Sequence, residues 1–145
     1  MNNYNSSNRG MFQNEELAKQ LISFEGLRFS GRNGMSNVTP TDIDGLVQLD
    51  NENCFIFFEL KHSGGMSLGQ ATALTKLCDA VKAGGVDCAL ILAVHNTPYP
   101  EKIMAKDARV SFIYMDGKWW PERKNRTLKE IAEGFINYIK EENQR

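Results

Sequence analysis

The sequence has few of the residues that mark disulfide-bonded, zinc-binding or membrane-spanning proteins. Its 145 residues include three cysteines, all in apolar segments and none in a C-x-x-C pair. The odd total and the spacing of Cys54, Cys78 and Cys88 indicate buried free thiols in a reducing compartment, not zinc ligands or a disulfide framework. No apolar run approaches the length of a membrane span. Residues 1–10 are polar and unlike a signal peptide, so we expect a disordered tail followed by one domain over residues 11–145.

An excess of positive charge is also missing. The formal net charge is −1, from 17 Lys and Arg against 18 Asp and Glu. Because phosphate binding draws on Lys and Arg, this balance gives a nucleic-acid function no support over the whole chain. One short segment departs from it by placing cations beside both tryptophans. Its candidate nucleic-acid contacts are Lys118, Trp119, Arg123, Lys124 and Arg126. The alternative is that the tryptophans pack in a hairpin while the cations are merely solvated.

The central part of the chain predicts a β-hairpin with charged residues at its open end. Residues 54–61 alternate as a strand does, so Glu59 and Lys61 share one face. Residues 42–49 read as the preceding strand, and the polar residues 50–53 form the turn. This register sets Asp44 opposite Glu59, where Cβ atoms of opposed residues are about 5 Å apart. A slip of one residue would put the two carboxylates on opposite faces.

Two carboxylates at this distance, with a lysine beside them, suit metal-dependent phosphodiester hydrolysis. Close like charges raise one carboxylate pKa unless a cation intervenes, so the pair is costly as structure alone. Mg²⁺ binds one or two protein carboxylates together with phosphate oxygens and water, and it acidifies that water. Lys61 would orient the attacking water or stabilise charge on the phosphate. The alternative is an exposed strand end where Glu59 and Lys61 form a solvated ion pair of little energetic value.

These residues resemble the core motif of the PD-(D/E)XK, or restriction-endonuclease-like, nucleases, which have an Asp on one strand and Glu-x-Lys on the next. Asp44 matches the Asp, and Glu59 with Lys61 matches Glu-x-Lys. Ile43 precedes Asp44, which is similar to the branch of the family that reads Ile-Asp there. The resemblance covers about residues 14–95, and several small phage-encoded nucleases look similar along this span.

The resemblance implies further site residues, a cofactor and a substrate. Gln70 matches a glutamine that members commonly carry near the start of the helix after Glu-x-Lys. The glutamate that many members have on the first helix would be Glu15 or Glu16, and a helical wheel favours Glu15, although both also suit a helix N-terminus without any site. The implied function is a DNA endonuclease that uses Mg²⁺ or Mn²⁺. It would act in the cytoplasm, that of the host if the chain is phage-encoded, and a homodimer stays open.

A second interpretation keeps the fold without the chemistry. The chain would then be a catalytically silent nucleic-acid-binding or protein-interaction module, which binds DNA in a salt-dependent way but shows no metal-dependent turnover. His95 ends an apolar strand and is a further candidate acid, base or phosphate ligand, although no partner for it is visible in the sequence. His62 is expected on the face opposite Glu59 and Lys61.

The predicted fold is α/β, a mixed central β-sheet flanked by helices in one domain. We expect the order α-β-β-α-β, as in a restriction-endonuclease-like core, with an added C-terminal hairpin and helix. Outside the hairpin of residues 42–61, the predicted segments are helices at 15–24, 68–83, 101–106 and 128–141, and strands at 86–94, 110–115 and 118–120.

Overall fold

The computed structural model describes residues 23, 25–30, 37–38 and 40–145. The chain divides into two units, Met1–Pro40 and Thr41–Arg145. Within the first unit, the short strands β1 (Phe29–Ser30) and β2 (Asn37–Val38) pair antiparallel. The predicted tail, Glu15, Glu16 and nearly all of the predicted first helix lie outside the described residues.

The second unit has an α/β architecture with a five-stranded mixed sheet and two helices. Its elements are β3 (Gly45–Leu49), β4 (Cys54–Lys61), α1 (Leu68–Ala83), β5 (Asp87–Val94), β6 (Arg109–Met115), β7 (Lys118–Pro121) and α2 (Leu128–Asn143). The strand order is β3-β4-β5-β6-β7; β4 and β5 are parallel, and the other neighbours are antiparallel. The predicted α/β class and mixed sheet are confirmed. Among the described residues, no helix is both long enough and apolar enough to cross a membrane.

The sheet separates two hydrophobic clusters, one beneath each helix. On one face, Leu74 and Cys78 of α1 pack with side chains that include Leu90. On the other face, Leu128 and Ile131 of α2 pack with buried residues of the sheet and of the chain before β6. The central strand β5 contributes to both clusters because alternate side chains of a strand point to opposite faces. Its nearly continuous apolar sequence therefore reflects burial on two sides, as predicted.

Local sequence signals account for where most of the elements begin and end. The Thr127 side chain accepts a hydrogen bond from the Glu130 N–H while Glu130 reaches back to the Thr127 N–H, so the predicted capping box opens α2. Asp116 and Gly117 both have positive φ, and they form the predicted turn between β6 and β7. All three cysteines are free and buried, as expected.

Outside the β3–β4 hairpin, two details of the predicted elements are wrong. The helix expected at 101–106 is only a 3₁₀ turn at Ala105–Asp107. Ile103 and Met104 are 45% and 48% exposed, so this segment lacks the buried face that stabilises a short helix. The helical spacing of Leu74, Leu77 and Val81 predicts that they share one apolar face of α1, but Leu77 is 39% exposed, whereas Cys78 is 2% exposed. The inward stripe thus follows positions i, i+4 and i+7 from Leu74.

Candidate metal and phosphodiester site

The β3–β4 hairpin brings Asp44 and Glu59 together at its open end. The ladder pairs Leu49 with Cys54 and continues in the predicted register to Gly45 opposite Phe58. Asp44 is the next residue, and its N–H donates to Glu59 Oε1 at 3.4 Å. The predicted register is therefore confirmed.

Regular pairing ends at Gly45 because the Asp44 side chain replaces a main-chain acceptor. The Leu60 N–H donates to Asp44 Oδ2 at 2.6 Å. Strand β3 is consequently shorter than the strand predicted at residues 42–49, since residues 42–44 lie outside it. The predicted hairpin register, continued by two residues beyond Asp44, sets Asp42 opposite Lys61 as its partner, but among the described residues the ion pair of Lys61 is with Glu59.

Glu59, Lys61 and Gln70 form a closed hydrogen-bonded group. Gln70 Nε2 donates to Glu59 Oε2 at 2.9 Å, and Lys61 Nζ donates to Gln70 Oε1 at 2.8 Å. Lys61 Nζ also lies 3.7 Å from Glu59 Oε2. The amide of Gln70 thus holds the carboxylate with its donor and the ammonium with its acceptor.

Helix α1 positions Gln70 through its first turn. Ser67 is the N-cap, and its hydroxyl accepts a hydrogen bond from the Gln70 N–H at 3.2 Å. This fixes the helix start beside the end of β4, where Glu59 and Lys61 project toward it. Ser67 was not among the predicted site residues, although a Ser three residues before a Gln is a pattern that indicates a helix N-cap.

Glu59 is buried and electrostatically strained as an anion. Its exposed fraction is 1%, which excludes the alternative of a solvated ion pair at an exposed strand end. Burial, together with the nearby Asp44 carboxylate, raises the pKa of Glu59 to about 7, against the lowering effects of the Asp44 N–H and of Lys61. The ammonium of Lys61 therefore compensates the two carboxylates only in part.

The donor set fits a divalent cation that is shared with a substrate. Asp44 is exposed and one of its oxygens, Oδ1, accepts no hydrogen bond from the described residues, so it is open to an ion. The part of the chain that the structure describes has no group of three or more His, Cys, Asp or Glu able to hold a metal. Two carboxylates are too few for an all-protein cage, but they are the number that Mg²⁺ uses when water and phosphate complete its shell.

The structure does not bring the other predicted residues that it describes into this group. Glu15, offered as an assisting catalytic residue, falls outside the described part of the chain. His95 Nδ1 accepts a hydrogen bond from the Thr97 N–H at 3.2 Å, and its ring meets that of His62 edge-on at 5.4 Å. The histidine pair joins the ends of β4 and β5, a contact that no local sequence signal indicated.

The side chains of the basic segment after β6 point to both faces of the sheet, and one of its cations is held in an ion pair. Lys118 Nζ lies 3.9 Å from the centre of the Trp120 ring. Trp119, one residue earlier, points to the opposite face and meets Tyr114. Arg126 Nε donates to Glu122 Oε2 at 2.6 Å.

The ion pair neutralises the segment's only acid. Burial acts to raise the pKa of Glu122, yet hydrogen bonds from the Lys124 N–H and from Arg126 lower it below its usual value. Glu122 thus remains a carboxylate matched to Arg126, and the exposed Arg123 and Lys124 have no side-chain partner among the described residues.

No protein-family model matches the chain, and neither the curated proteins nor the solved structures give a match to it. The resemblance to PD-(D/E)XK nucleases therefore stays a prediction that depends on the residues described above.

Proposed function

We propose that this chain is a divalent-metal-dependent endonuclease that hydrolyses phosphodiester bonds in DNA. The observation that carries the proposal is Glu59, a buried carboxylate that faces Asp44 and is tied to Lys61 and Gln70. Burial without a full countercharge destabilises the ionised form of Glu59, and a divalent cation would remove that penalty. The order β-β-α-β from β3 to β5, with Asp44 directly before β3 and Glu-x-Lys at the end of β4, supports a restriction-endonuclease-like core.

Asp44 and Glu59 would hold the metal, Mg²⁺ or Mn²⁺, which when bound supplies charge neutralisation at the phosphate and acidifies water. Asp44 is oriented for this by the Leu60 N–H, which fixes one of its oxygens and leaves the other open. Glu59 is oriented by Gln70 and by the Asp44 N–H. Both carboxylates are thus held in place before any ion arrives, so little side-chain entropy is lost on binding.

Lys61 would stabilise the charge that develops on the phosphate during attack. Its side chain is 26% exposed, while β4 holds its backbone. Gln70 acts as a positioning residue, because both ends of its amide are engaged with Glu59 and Lys61 and not with solvent. Removing Gln70 should therefore free the Lys61 ammonium and leave Glu59 held by the Asp44 N–H without its second donor.

The direct test is a nicking assay on supercoiled DNA with Mg²⁺ or Mn²⁺ and with EDTA. We expect metal-dependent nicking that falls by at least about 100-fold in Glu59→Gln and Lys61→Ala, since each removes charge stabilisation at the reacting centre. Matched controls are Glu133→Gln, which removes a carboxylate that is 60% exposed on α2, and Lys76→Ala, which removes an exposed ammonium on α1. Both controls should keep wild-type activity.

The same assay separates the proposal from the alternative of a silent binding module. A module would bind DNA with affinity that falls with salt, yet it would show no nicking under any metal condition. Residual nicking of equal size in the wild type, Glu59→Gln and Lys61→Ala would indicate a contaminant and would contradict the catalytic assignment.

A further inference from the structure

The outer strands of the sheet expose two aromatic side chains next to each other. Phe112 of β6 is 43% exposed and Trp119 of β7 is 36% exposed. Their ring centres are 6.4 Å apart at an interplanar angle of 84°, and Trp119 also meets the buried Tyr114 at 5.2 Å. We call Phe112 and Trp119 the aromatic platform. Large aromatic surface of this kind, left open by a sheet, is typical of a binding site.

The aromatic platform lies on the same face of the sheet as Glu59. The strand register aligns Glu59 with Leu92, Leu92 with Phe112, and Phe112 with Pro121. Directly paired residues project to the same face, and neighbouring strands are about 4.8 Å apart, so Phe112 is roughly 10 Å from Glu59 across the sheet. The platform and the candidate metal site are therefore two strands apart on one face of the sheet, with Leu92, which is 6% exposed, between them.

Positive charge stands at the end of this row. Arg123 and Lys124 lie two and three residues after Pro121 and are exposed, while the side chain of the intervening Glu122 is 1% exposed and neutralised by Arg126. Cations beside open aromatic rings favour a ligand that is both anionic and aromatic, as an unpaired nucleic-acid strand is. A second copy of this chain docking through the same patch would bring two pairs of like charges together, which opposes association.

We infer that the aromatic platform stacks the unpaired bases of a DNA strand, with Arg123 and Lys124 contacting its phosphates. The substrate of the proposed nuclease is then single-stranded DNA or a duplex with an unpaired strand. This statement of substrate class rests on the proposed function, whereas the binding surface itself does not. The platform requires unpaired bases, because the bases of an intact duplex stack on each other and keep their faces covered.

The chain offers a matched pair of fluorescent probes. It contains two tryptophans, and these are adjacent in β7 but on opposite faces of the sheet. Trp120→Phe leaves Trp119 as the sole indole, on the platform, and Trp119→Phe leaves Trp120 as the control. Both substitutions keep an aromatic ring at a strand position, so the fold is retained.

The experiment titrates each variant with an oligo(dT) strand and with a duplex of equal length, in EDTA. We expect oligo(dT) to quench the emission of Trp120→Phe and to leave that of Trp119→Phe nearly unchanged. Phe112→Ala should weaken oligo(dT) binding about tenfold, as loss of one stacked base does, while Tyr138→Ala on α2, 54% exposed, should not.

Equal quenching of both variants, no quenching, or unchanged binding by Phe112→Ala would overturn the inference. A dimer that dissociates in Phe112→Ala and does not bind oligo(dT) would assign the platform to a second copy, and it would overturn the inference as well. Quenching tests the aromatic platform and nicking tests the proposed nuclease, so the two proposals can fail separately. Quenching without any nicking would refute the nuclease but keep the platform, and nicking without quenching would do the reverse.

Discussion

Replacing Glu59 by Gln should change how the stability of the protein depends on pH. The pKa of Glu59 is raised from 4.5 to about 7, mainly by burial and by Asp44. Between these values the folded state holds the proton while the unfolded state has lost it, so the free energy of unfolding falls as pH rises through the window. At about 1.4 kcal/mol per pKa unit, the full loss is about 3 kcal/mol above pH 7. Gln cannot titrate, so the variant escapes this loss.

The measurement is urea unfolding of the wild type and Glu59→Gln in EDTA, at several values from about pH 4.5 to about pH 8. The quantity to follow is the difference in unfolding free energy between the two proteins, because titrating groups that do not interact with Glu59 cancel in it. We expect this difference to move by about 3 kcal/mol in favour of Glu59→Gln as pH rises. The constant cost of fitting an amide beside Gln70 does not vary with pH and drops out.

The control is Glu133→Gln, whose carboxylate is 60% exposed and should give a flat difference over the same range. A flat difference for Glu59→Gln too would show that Glu59 ionises normally in the folded protein. The argument from buried like charges to a metal site would then fail.

Three further outcomes are expected. Calorimetric titration should detect Mg²⁺ binding to the wild type at about pH 8 and not to Asp44→Asn, because the variant loses a ligand charge; equal binding would move the ion elsewhere. In Gly45→Ala the new Cβ would lie 1.9 Å from the Phe58 ring, so urea unfolding should show a loss of about 1–3 kcal/mol and Mg²⁺ affinity should fall as Asp44 shifts; unchanged values would refute the tight packing. Thr127→Ala removes the cap bond to Glu130 and should cost about 1 kcal/mol of stability with wild-type nicking; altered nicking would contradict a purely structural cap.

Local sequence patterns were sufficient for most of the second unit. The alternation over residues 54–61, the polar turn before it and the capping box at Thr127 each describe contacts between residues near in sequence. Such contacts form with the same geometry in many folds, so the strand, the hairpin register and the helix start were predictable. The exposed Leu77 and the missing helix at 101–106 were not, because burial is decided by what packs against an element.

The candidate site divides in the same way. The period of a strand and a short turn leave one register, so the residue pattern alone was enough to predict that Asp44 faces Glu59 at the end of one hairpin and that Lys61 shares the face. Three features could be seen only once the chain was folded: Glu59 is buried, Gln70 joins it to Lys61, and Phe112 lies in the same row. These facts depend on helix α1 and on strands distant in sequence, because their packing sets how well a charge is solvated and which residues a side chain contacts.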